Sequence, residues 1–170
     1  MDASKKPEVW LRGPVPGIPA LLQPAAHALL QSKEEVFKYT EDFSEDLLWE
    51  KPAGRASVGF HLQHITGVLD RMLTYAEGKL LSEDQFEFLG SEGEPNENRN
   101  LANLTTDFAN KVDEALEVLK ATPETILPEK RTVGRKKLPS TVLGLYFHAA
   151  EHSQRHVGQM LVTISVLKTG

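Results

Sequence analysis

The sequence predicts an all-α fold, a four-helix bundle with long inter-helix connections. Three observations carry that expectation. Four long segments repeat apolar residues at the helical period, and no series of strand-like segments interrupts them. The links after the second and third segments run to about 20 residues, well beyond ordinary bundle connections. The chain has 170 residues, 40% apolar and 25% charged, which is enough for one hydrophobic core.

The elements follow in order. Pro7, Pro14, Pro16, Pro19 and Pro24 crowd the start, so residues 1–16 read as an extended N-terminal arm, with Trp10 and Leu11 expected to pin it to the body. Residues 17–170 form the helical domain. Its first helix starts near Ile18 or Ala20, with Pro24 either kinking it or marking a start just before it, and ends near Tyr39. Leu22, Leu29, Leu30, Val36 and Phe37 are among its apolar positions. Glu41–Gly54 connects onward, anchored by Leu47, Leu48 and Trp49. Ser57 is an N-cap candidate for the second helix, which Gly78 stops.

A short helical turn is expected near Glu83–Phe88, followed by a solvated acidic loop. The third helix spans about Asn100–Leu119, with Leu104, Phe108, Val112 and Leu116 in phase. Pro123 and Pro128 end it. A basic loop follows, Lys130–Lys137, in which Thr132–Gly134 reads as a brief extended piece. The fourth helix runs from Pro139 or Ser140 to about Leu167, with Leu143, Phe147, Ala150, Val157, Met160 and Ile164 as core candidates.

Composition excludes several function classes. There is no Cys, so thiol nucleophiles, disulfide scaffolds and thiolate metal sites are out. The net charge of −5 argues against a bulk nucleic-acid binder, and no window is long and apolar enough for a membrane span. No signal-peptide pattern is read at the start, so a cytoplasmic location is expected.

The chemistry concentrates in the histidines. His148, His152 and His156 follow one another at four-residue steps, so successive rings drift by only about 40° around the fourth helix. His152 and His156 can therefore meet one ion. On the second helix, His61 and His64 lie in a mostly apolar stretch, where an unpaired buried imidazole is costly. His64 with His152 and His156 makes a three-nitrogen set that leaves coordination positions for water or substrate. The competing reading is a polar helix edge, or core histidines satisfied by carbonyl or carboxylate partners. His61 and His148 are reserve ligands. Glu151 directly precedes His152, the wrong spacing for a metalloprotease base or a di-iron Glu-x-x-His pair, and reads as a surface or supporting group.

Two blocks carry a family resemblance. Ser57-Val58-Gly59-Phe60-His61-Leu62-Gln63-His64-Ile65 and His152-Ser153-Gln154-Arg155-His156-Val157-Gly158-Gln159 resemble the second-helix and fourth-helix motifs of the DinB-like, or YfiT-like, metal-binding superfamily. Leu47–Arg55 resembles its turn into the second helix, and the likeness extends over Ile18–Lys168. The resemblance implies a bundle of four long helices and the metal ligands His64, His152 and His156. It implies a divalent metal, zinc or nickel foremost. Some relatives transfer low-molecular-weight thiols such as bacillithiol or mycothiol, and many have no assigned reaction. The implied function is a metal-dependent thiol S-transferase acting on a small-molecule thiol and an electrophile. The alternatives are a DinB-like metal-binding protein without catalytic activity and a helical interaction module.

Other residues enter as accessories. The Lys130–Lys137 loop is a candidate for holding an anionic cosubstrate, against the simpler reading of solvated surface. Gln159, three residues after His156, can orient a ligand or water, against the simpler reading of a structural hydrogen bond. Gly158 reads as a point of close helix packing, since a mid-helix Gly costs about 1 kcal/mol. Phe60, Tyr75, Tyr146 and Phe147 read as core, with the two tyrosines as possible hydroxyl donors near the ion. A homodimer is expected, with Trp10 and Leu11 docking on the partner, against the alternative of an intramolecular clasp across the bundle.

Overall fold

The computed structural model describes residues 6–169. Among them are five α-helices: α1 Gln23–Thr40, α2 Val58–Ala76, α3 Glu83–Gly90, α4 Leu101–Ala121 and α5 Val142–Thr169. This overturns the four-helix bundle expectation. The fold is all-α with five helices, and the link before α5 carries a small hairpin, β1 Lys130–Val133 antiparallel to β2 Leu138–Thr141.

The uncounted helix has a local cause. Ser82 accepts a hydrogen bond from the Gln85 backbone N–H at 3.2 Å, and the Gln85 side chain accepts from the Ser82 N–H at 3.0 Å. This capping box closes the first turn, and Glu83 and Asp84 place negative charge at its positive end. The hairpin explains the late start of α5. Leu138–Thr141 pairs with β1, so the helix begins at Val142 rather than Pro139. Its first N–H groups are satisfied by the Glu129 and Leu127 carbonyls. Pro24 sits in the first turn of α1, where it starts the helix and does not kink it.

The four longer helices form a ring of neighbours: α2 touches α5 and α4, and α1 touches α5 and α4. Leu29, Leu62, Ile65, Leu69, Phe108 and Met160 are buried between them. Leu48 is fully buried and Trp49 packs against the core, as expected of the connector before α2. A Cβ at Gly59 would fall 2.5 Å from the Trp49 ring, so glycine is needed for that approach.

Several expected core contacts fail. Phe147 is 62% exposed and Leu143 is exposed as well, both on α5. Trp10 and Leu11 are also exposed, and Val9 is the buried residue of that segment. The segment is held to α1 through polar groups: the Val9 N–H donates to Gln31, and Arg12 grips Glu34 with both terminal nitrogens.

Candidate metal centre

α2 and α5 lie side by side and bring their histidines to one seam. His64, His152 and His156 each offer a nitrogen, and these atoms lie within 4.8 Å of one another. His64 Nε2 and His152 Nε2 are 3.0 Å apart. Two nitrogens on a tetrahedral zinc, each at about 2.0–2.1 Å, would stand about 3.3–3.4 Å apart. The observed spacing needs only a small opening. On that spacing the donor set fits a divalent ion, and the three imidazoles could hold one. The outer Nδ1 of His152 is buried with no hydrogen-bond partner.

Each flank of this set is supported differently. On the His64 side, Nδ1 faces the Glu92 carboxylate at 2.6 Å. Glu92 is only 4% exposed and also pairs with the buried Arg71 guanidinium at 2.8 Å. A carboxylate on the outer nitrogen fixes the ring and leaves Nε2 for the site. Glu92 belongs to the acidic stretch expected to be solvated, and this residue departs from that expectation. The connector is held in place to present it. The Gly93 N–H donates to Gln63 at 2.6 Å, and Arg99 donates to the carbonyls of Ser91 and Glu94. Gly67 leaves the space: a Cβ there would fall 2.6 Å from both Arg71 Nη1 and Glu92 Oε1.

On the opposite flank the support is an imidazole. His61 Nδ1 lies 3.0 Å from His156 Nδ1, which leaves His156 Nε2 for the site. Phe60 covers the cluster, stacked on His64 at a centroid distance of 5.2 Å. Burial, then the neighbouring His64, pushes His61 down to about 4. The same causes, in the same order, bring His152 to about 4 and His156 to about 3. Neutral imidazoles are the metal-binding form, so His152 and His156 are ready at neutral pH without losing a proton.

His148, Glu151 and His152 make a second group of close ligand atoms. It lies along one face of α5 alone. His148 is 45% exposed, and Glu151 is engaged by Arg155 at 2.6 Å.

The remaining candidates resolve as follows. Tyr146 bonds its hydroxyl to Thr122 at 3.2 Å and so has another task. The Lys130–Lys137 segment is the hairpin, tied by Arg131 to the Ala76 carbonyl at the far end of α2. That point is about 18 Å along the helix from His64, too far for its lysines to serve this cluster. Gly158 does not mediate close packing, because a Cβ there would meet nothing within 4 Å. Gln159 lines a cavity beside His61. Glu92 and Arg71 were missed by sequence reasoning. Arg71 lies two turns beyond His64 on one face of α2, and an Arg amid apolar residues was the available signal for a buried acidic partner.

A helical protein with an inward His/Glu cluster at a helix seam supports a general metal-binding function. The family model described as the DinB superfamily matches residues 28–160. The chain belongs to the DinB superfamily. A search of curated proteins finds no match. No helix among the described residues is long and apolar enough to cross a membrane.

Proposed function

We propose that the protein is a mononuclear divalent-metal enzyme of the YfiT-like kind, with His64, His152 and His156 as ligands and zinc or nickel as the metal. One observation carries this reading: three imidazoles from two helices converge on one point, and His64 is oriented by a buried carboxylate. A bound ion with three neutral ligands supplies a Lewis-acid position at which a thiol or water is deprotonated near neutral pH.

The chain has no Cys, so the nucleophile of a thiol transfer comes from a small-molecule thiol. In that reaction the thiol S–H bond would break with its proton passing to solvent, a C–S bond would form to the electrophile, and the leaving group would depart with its electron pair. Glu92 and His61 hold the ligand rings, while Phe60 shields the cluster from water. A cytoplasmic setting, where small thiols stay reduced, suits this chemistry. The exposed Trp10 and Leu11 support a homodimer, tested by sedimentation of the full chain at micromolar concentrations.

The deciding experiment measures metal content and then turnover. Wild-type protein should hold one equivalent of metal and convert a thiol and an electrophile faster than the uncatalysed mixture, and His156→Ala should lose both properties. One equivalent of metal with no turnover across a panel of biological thiols favours the metal-binding protein without catalysis. No metal uptake by wild type ends the reading.

A further inference from the structure

The cavity beside His61 is not explained by the metal site. It has a volume of about 710 Å³ and is lined by Arg55, His61, Arg155, Gly158, Gln159 and Thr163, with Val162 adding an apolar wall. That size suits a small organic molecule. Its polar groups are almost all donors, and most are unspent. Among the described residues, the side chains of Arg55, Gln159 and Thr163 have no hydrogen-bond partner. Thr163 is 8% exposed, and its hydroxyl is not turned back onto the helix as that of Ser165 is, at 2.8 Å from Leu161 O. His61 is 4% exposed, with Nδ1 spent on His156 and Nε2 free. Arg155 uses one terminal nitrogen on Glu151 and keeps its other donors.

A half-enclosed set of two guanidiniums, an amide and a buried hydroxyl matches an oxyanion, since Arg donors pair two at a time with carboxylate or phosphate oxygens. Glu151, engaged by Arg155, is an acidic group in contact with the lining. Gly158 contributes by lacking a side chain: nothing lies within 4 Å of where its Cβ would be, so the cavity stays open over the middle of α5.

We infer that this cavity binds the oxyanion group of a small molecule, a carboxylate or a phosphate, and so anchors a ligand next to the metal centre. The anion pocket stands on Arg55, Arg155 and Thr163 alone. Its use as the anchor for a substrate whose other end meets the ion rests on the metal reading above. His61 is the shared wall, with one nitrogen on His156 and its other side on the cavity.

Calorimetric titration of the full-length protein with succinate and with glycerol 3-phosphate, metal-free and zinc-loaded, tests the inference. At least one probe should bind saturably to metal-free protein, and the tighter of the two identifies the oxyanion. Arg55→Ala should weaken it about tenfold or more, and Thr163→Val about threefold, as expected for lost hydrogen bonds to a charged group. Lys136→Ala on the distant hairpin should leave affinity unchanged. Arg55→Ala should bind zinc like wild type, so failure of the metal reading appears in the zinc titration and failure of the pocket in the anion titration. Absence of saturable binding by either probe, or equal affinity in wild type and Arg55→Ala, would overturn the inference.

Discussion

Two groups of potential ligands share His152 and differ in everything around it. The set with His64 and His156 spans two helices, and the outer nitrogens of those two rings are held by Glu92 and His61. The set with His148 and Glu151 lies on α5 alone, where Arg155 engages the carboxylate and solvent reaches the imidazole. Both satisfy the same distance criterion. The difference lies in preorganisation: the first set is fixed by a packed seam and buried partners, and the second by side chains that water can replace. Proximity of donors along one helix is cheap, whereas convergence from two helices requires the fold.

The largest expected effect separates the two sets directly. His64→Ala should reduce zinc affinity by more than the roughly 10–100-fold that loss of a supporting partner brings. His148→Ala should change it by no more than about threefold, because exposed, solvent-screened groups contribute little. Competition against a chromophoric chelator measures both, and equal losses would collapse the distinction. His152→Ala cannot discriminate, since both sets contain it.

The carboxylates come next. Glu92→Gln should weaken zinc binding about 10–100-fold, while Glu151→Gln should leave it near wild type. Removing Glu92 charge also leaves Arg71 buried without its ion partner. Urea unfolding of the metal-free variant alongside the affinity measurement separates that stability loss from the metal effect.

Two glycines sharpen the contrast between a packed and an open flank. Gly67→Ala drives a methyl into Arg71, Glu92 and Phe88 and should cost about 1–3 kcal/mol. Gly158→Ala meets open space in an exposed helix position and should stabilise by about 0.5–1 kcal/mol. Urea midpoints for the pair should move in opposite directions.

The smallest effect is a pH dependence of the metal-free protein. His61, His152 and His156 have folded values pushed by burial and neighbouring imidazoles from 6.5 to about 4, about 4 and about 3. Between pH 6.5 and 4 the unfolded chain binds more protons than the folded one. Their contribution is therefore fully present above pH 6.5 and declines as pH falls through the folded values. Urea midpoints between pH 7.5 and 4.5 should drop for wild type and drop less for His61→Gln.

The sequence made one half of the site legible and hid the other. The i,i+4 pair His152 and His156 is written in helical spacing, and His64 stands out in an apolar stretch, so periodicity alone brings them to one seam. Glu92 lies in a run of acids and glycines with no period. Its burial depends on Gln63 catching the Gly93 N–H and on the space at Gly67, both long-range facts. The fold shows the same division. Ser57, read as an N-cap, marked the start of α2 well, and Asn100, read as the start of the third helix, proves to cap α4. The Ser82–Gln85 box was equally local, and a helical turn near Glu83–Phe88 was expected there, but the acidic composition hid its extension into a helix reaching Gly90. The hairpin escaped because its strands are only four residues long, one beginning with Lys130 and Arg131 and the other containing Pro139, and neither shows an alternating apolar face. Phe147 shows the limit of apolar periodicity, since a helix at the rim presents hydrophobic residues outward as well.

The socket at Gly59 has an optical consequence. The only two indoles in the chain occupy opposite settings: Trp10 stands in solvent, and Trp49 is pressed against Gly59, two positions before His61 and five before His64. A soluble quencher should reach the first more than the second, so the residual emission reports on the connector packed against the first turn of α2, the helix that carries His61 and His64. Emission from Trp49 therefore offers an unlabelled readout for the zinc titrations proposed above.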